Sequence, residues 1–81
     1  MKNDIYSLSR ELAESIKGKG EKSDFLSEEI ISAINYGNSS GEILMKLRFL
    51  LNGIVSNQNE YEADVVVYAE KILNKISFLI K

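Results

Sequence analysis

The stretch Glu60-Tyr61-Glu62-Ala63-Asp64-Val65-Val66-Val67-Tyr68-Ala69-Glu70-Lys71-Ile72-Leu73-Asn74-Lys75-Ile76-Ser77-Phe78-Leu79-Ile80 decides the fold of this chain. Taken alone, Val65-Val66-Val67-Tyr68 reads as a strand, because β-branched and aromatic side chains suit a pleated surface. The pattern around it is helical. At roughly 100° per residue, Tyr61, Val65, Tyr68, Ala69, Ile72, Ile76 and Leu79 fall on one broad face, and the periodicity runs on for three turns beyond the valines. A helix from about Glu60 to Ile80 is therefore predicted, with Asn59 followed by Glu62 as its capped start.

Working back from it, Asn57-Gln58-Asn59 is a loop, preceded by a third helix with Ile43, Leu44, Leu47, Leu50, Leu51 and Ile54 on one side. Ser39 and Glu42 have the spacing of a capping box for that helix. Gly53 fits either its C-cap or its interior, the latter costing about 1 kcal/mol. Gly37-Asn38-Ser39-Ser40-Gly41 is a turn cluster and the clearest boundary in the chain. Before it, a second helix starts near Ser23 or Asp24 and ends at Tyr36, with Leu26, Ile30, Ala33 and Ile34 inward. The first helix spans about Asp4 to Lys17, with Asn3 as N-cap and Gly18 as a left-handed C-cap. Ile5, Leu8, Leu12 and Ile16 are its inner face. The sum is an all-α fold, a single domain over residues 1–81, built as an antiparallel bundle of three to four helices with short loops.

Composition narrows the function. The 81 residues include no His, Cys, Pro or Trp. There is thus no imidazole base and no thiolate, and the ligands favoured by zinc and copper are missing. No cofactor or metal is expected. The net charge of −2 disfavours non-specific nucleic-acid binding, which depends on clustered Lys and Arg. Zero cysteines suit a reducing compartment. Met1-Lys2-Asn3-Asp4 leads into a charged amphipathic stretch with no apolar signal core, and no apolar run approaches a membrane span of about 18 residues. The cytoplasm is the expected location.

Three chemical readings fail on spacing. Gly18-Lys19-Gly20-Glu21-Lys22-Ser23 superficially suggests a phosphate loop, but it follows a helix and its Gly-Lys-Ser triplet is broken. Glu28 and Glu29 are adjacent, so they cannot face each other as a catalytic pair on one helix. A helix-turn-helix across Gly37–Gly41 would place Gly-Glu-Ile-Leu-Met at the start of its recognition helix, with no Arg, Asn or Gln to read base edges. Catalysis is not expected.

The remaining signals concern surface. Between Ser23 and Met45 lie Asp24, Glu28, Glu29 and Glu42, with no Lys or Arg. Glu60, Glu62 and Asp64 make a second acidic knot. Acids belong in first helical turns, where they complement the dipole, so one reading is purely local. The other is an electronegative patch that steers a basic partner. Met45 and Phe49 lie four residues apart and opposite the inner stripe of their helix, while Val67 and Phe78 lie off the core face of the last one. Tyr36 lies beside Glu29 on the outer side of the second helix. Such residues are either the second buried face of a central helix or an exposed anchor patch.

The segment Ile31-Ser32-Ala33-Ile34-Asn35-Tyr36-Gly37, followed by Gly41-Glu42-Ile43-Leu44, Leu47 and Leu50-Leu51, resembles the middle of small all-helical bacterial immunity proteins. These include the partners of contact-dependent growth-inhibition toxins and the MafI-type. The resemblance covers about a quarter of the chain. It implies stoichiometric inhibition of a cognate toxin domain, often a basic nuclease, with no catalytic residues. Asp24, Glu28, Glu29, Tyr36, Met45 and Phe49, then Glu60 and Asp64, are the expected partner-binding residues. A homodimeric helical adaptor or a small regulatory protein is the alternative.

Overall fold

The first residues of each segment explain where the helices begin. In the computed structural model, which describes residues 4–79, the Asp4 carboxylate accepts the Ser7 N–H at 2.7 Å and starts α1 (Ile5–Ile16). Asn3, the expected cap, lies outside the described residues. The helix closes in a turn of type II geometry. Lys17 is at φ −66°, ψ 137°, Gly18 is at φ 84°, and the Lys19 N–H donates to the Ile16 carbonyl at 3.3 Å.

Helix α2 (Glu21–Tyr36) starts earlier than the expected Ser23 or Asp24. Both candidate caps serve elsewhere. Ser23 is buried against the bundle, and the Asp24 carboxylate reaches back to accept the Gly18 N–H at 2.6 Å. Gly20, at φ 121°, turns the chain into the helix instead. Helix α3 (Ser40–Ser56) begins as expected, with the Ser39 hydroxyl accepting the Glu42 N–H at 3.2 Å. It runs straight through Gly53. Asn57 ends it, its side-chain amide donating to the Gly53 carbonyl at 2.8 Å.

The last helix needs correction at both ends. A 3₁₀ turn, Gln58–Glu60, and an extended Tyr61 precede α4 (Ala63–Leu79), so Glu60 is not helical and Asn59 caps nothing. The Tyr61 ring packs against the core from outside the helix, and the Glu62 carbonyl accepts the Val66 N–H at 3.1 Å. The valines are helical, as their context requires, with Val65 and Val66 buried. Leu79, expected inward, is 65% exposed, because α4 overruns its last core layer at Ile76. Ile80 lies outside the described residues.

The four helices form a ring in which each packs on the next and α4 closes on α1. Connections of three to six residues make neighbours antiparallel. The centre is Leu12, Ile16, Ile30, Leu47, Leu51, Ile54, Ile72 and Ile76, all but sealed from solvent. Each such side chain contributes about 1.5–3 kcal/mol of burial. Ser9 and Ala13 on α1 and Ser23 and Ser27 on α2 are buried too, and the Ser27 hydroxyl donates to the Ala13 carbonyl at 2.8 Å. These small residues fill inner positions that a hydropathy pattern assigns to solvent. No strand occurs among the described residues, and no helix there is long and apolar enough to cross a membrane.

Candidate functional site

Once the inner stripes are packed, α2 turns Phe25, Glu28, Ser32 and Tyr36 outward, with the half-buried Glu29 beside them. Phe25 is 64% exposed and Tyr36 80%. On the neighbouring α3, Met45 and Phe49 are 55% and 71% exposed. The second-buried-face reading of Met45 and Phe49 therefore fails, because among the described residues no element covers that side of α3. Phe25 and Phe49 face one depression between α2 and α3, whereas Tyr36 faces the α1 side of α2. Glu29 is joined to Lys46 across the two helices at 3.9 Å, an exposed pair of little energetic weight.

The expected binding residues do not form a single cluster. Asp24, Glu28 and Tyr36 line a depression on the α1 side of α2, together with Glu14 and Lys17. Phe49 and Glu60 line another, between α2, α3 and the 3₁₀ turn, with Phe25, Leu26, Leu50, Gly53 and Tyr61. Asp64 lies on the α1–α4 side, beside Glu11 and Tyr68. The second acidic knot is likewise split. Glu60 pairs with Lys22, whereas Glu62, paired with Lys19 at 3.4 Å, lines the α1–α4 depression together with Asp64.

Lys22, Tyr61 and Tyr68 titrate away from their ordinary values. The hydrogen bond to Glu60, reinforced by its charge, pushes Lys22 up. Burial, then the Glu60 charge, pushes the Tyr61 phenol up. Tyr68 donates to a Glu11 carboxylate oxygen at 2.7 Å, and that bond, aided by desolvation, lifts its pKa to about 12.

Phe25 and Lys22 escaped the sequence reading. Phe25 sits beside the inward Leu26 and passes for part of the same apolar start. A wheel projection finds it, since Glu21, Glu28 and Glu29 stand at its i−4, i+3 and i+4 positions and are its surface neighbours. The phosphate-loop lookalike resolves into the α1–α2 turn, where the Gly18 N–H is already taken by Asp24. Among the described residues, no three side chains gather as a metal-binding group. No family model matches this sequence, no curated protein matches it, and no solved structure matches its fold.

Proposed function

We propose that this chain is a stoichiometric binding protein, an immunity protein of the cytoplasm that docks on a cognate toxin domain and neutralises it without chemistry of its own. The supporting observation is that Phe25 and Phe49 are exposed and line one depression between α2 and α3, with Met45 also exposed on α3 and Tyr36 exposed beside Asp24 and Glu28 on the α1 side of α2. Large apolar side chains that share a patch mark a contact site, whereas single ones do not. Aromatics are the residue class that carries binding energy at protein interfaces, and an acidic frame accelerates encounter with a basic nuclease. Covering the nuclease's active surface is then sufficient for inhibition.

The direct test titrates the purified chain against the basic domain encoded by the adjacent reading frame. The expected result is a one-to-one complex and loss of toxin activity. Glu28→Lys/Glu29→Lys is expected to slow association and flatten its salt dependence, and Phe49→Asp to accelerate dissociation. Unchanged affinity in both variants removes this surface from the reaction. The same exposed aromatics also fit a homodimeric adaptor. A sedimentation experiment at micromolar concentration separates the two, since only the adaptor predicts a dimer that Phe49→Asp dissociates.

A further inference from the structure

The link between α3 and α4, residues 57–62, is held to the rest of the bundle by few contacts. Of its residues only Tyr61 is half-buried, its ring packed on the core, and the others are exposed. Its own backbone bonds are short-range. The Glu60 N–H donates to the Asn57 carbonyl at 2.9 Å and the Tyr61 N–H to the Gln58 carbonyl at 3.2 Å. Among the described residues, its polar ties to α1, α2 and the turn between them are two side-chain ion pairs, Lys19–Glu62 at 3.4 Å and Lys22–Glu60. Lys19 stands in the connection between α1 and α2, and Lys22 in the first turn of α2. The two salt bridges therefore clip one connection at this end of the bundle to the other.

The clipped segment is also a partition. Glu60 and Tyr61 line the depression that Phe25 and Phe49 share, about 440 Å³ in volume. They also line a second depression, of about 360 Å³, whose other walls include Ile16, Ser23 and Val65. Glu60 and Tyr61 are the residues common to both. The Lys22–Glu60 pair borders the first depression, and the Lys19–Glu62 pair borders the second.

We propose that residues 57–62 form an ionically held strap. With both pairs made, it lies closed. With them broken, it lifts from the end of the bundle between its anchorages on α3 and α4, and the two depressions join into one groove running from Phe49 to Val65. Exposed ion pairs are individually weak and are screened by salt, so the strap opens readily once they are weakened. A segment with few buried contacts opens well below the free energy of global unfolding. Leu47, Leu51 and Ile72 belong to the helices and stay packed while the strap moves. The device follows from these ties alone and does not depend on the toxin reading, but it makes one wall of the Phe25–Phe49 depression movable.

The test measures amide hydrogen exchange by NMR on the full chain labelled with ¹⁵N, in about 0.01 M and about 1 M salt, where the screening length falls from about 30 Å to about 3 Å. The informative amides are Tyr61 in the strap and Val65 and Val66, which donate to the Glu62 carbonyl at its end. High salt is expected to speed their exchange about two- to thirtyfold, the joint effect of two exposed pairs, relative to Leu47 and Leu51 in α3. Lys19→Gln/Lys22→Gln should show the faster exchange already at low salt and respond no further to added salt. Glu60→Gln/Glu62→Gln breaks the same pairs from the strap side and should behave alike. The Phe25 and Ile16 amide signals, one on each side of the partition, should shift with salt in the parent and stay fixed in the lysine double variant. Exchange at the strap indifferent to salt, equal acceleration at Leu47 and Leu51, or salt dependence retained in either double variant would overturn the strap. Unmoved Phe25 and Ile16 signals would overturn the joining of the two depressions.

Discussion

Helices α1 and α2 share the ring yet treat their apolar residues differently. α1 buries Ile5, Leu8, Leu12, Ala13 and Ile16 and leaves no large apolar side chain exposed, with Tyr6 half-covered. α2 buries Ile30 and Ile34, fills its other inner positions with Ser23 and Ser27, and places Phe25 and Tyr36 in solvent. If folding alone had shaped α2, the large residues would be inside and the serines outside. The contrast separates the part of the molecule that holds the bundle together from the part left over for something else.

The sharpest way to break that distinction is truncation on each side of it. Leu12→Ala, at a site 1% exposed, is expected to lose about 2–5 kcal/mol in chemical denaturation, whereas Phe25→Ala should stay within about 0.5 kcal/mol. A large loss at Phe25 would make it a core residue after all. Next in size is Gly37→Ala at the α2–α3 junction. A Cβ there would lie 2.2 Å from the Ile43 side chain and 2.8 Å from the Ala33 carbonyl oxygen, a backbone atom that cannot move aside cheaply. The expected loss is about 1–3 kcal/mol, read from the same denaturation curves.

Gly53→Ala should act in the opposite direction. It is expected to stabilise the chain by about 0.4–1 kcal/mol, seen as a higher melting temperature. The smallest effect concerns the α1–α4 side. Tyr68, with a pKa of about 12 against an ordinary value of 10.0, is held protonated by its bond to Glu11. A raised folded-state pKa gives stability that is complete below pH 10 and is lost as pH rises toward 12. The pair is solvent-exposed, so the slope should be shallow. Tyr68→Phe should reduce the alkaline slope over that window in parallel denaturation series.

Much of the bundle was written in apolar spacing. Ile5, Leu8, Leu12 and Ile16, and likewise Leu44, Leu47, Leu51 and Ile54, repeat at helical intervals and are buried. Ser39 and Glu42 announced a helix start that the backbone uses. The start of α2 was hidden because Ser23 is buried inside the helix and the Asp24 carboxylate reaches back to the Gly18 N–H of the preceding turn, so neither good cap residue caps. The start of α4 was hidden because Tyr61 packs on the core from an extended backbone, which periodicity scores as one more helical turn. At the surface, Tyr36, Met45 and Phe49 were legible as misplaced apolar residues. The grouping of Phe49 with Phe25, and the separation of Tyr36 and Asp64 from them, depended on which helices are neighbours, and one-dimensional spacing does not carry that information.

The ring order has a kinetic consequence. Three of its four seams join consecutive helices across connections of three to six residues, so most of the interior can assemble by short-range encounters. Only the seam between α4 and α1 ties distant parts of the polypeptide, and it must wait until α4 has left the ribosome. With no proline in the sequence, no slow peptide isomerisation delays that closure. Refolding should therefore finish within microseconds to milliseconds, as for other bundles dominated by local contacts.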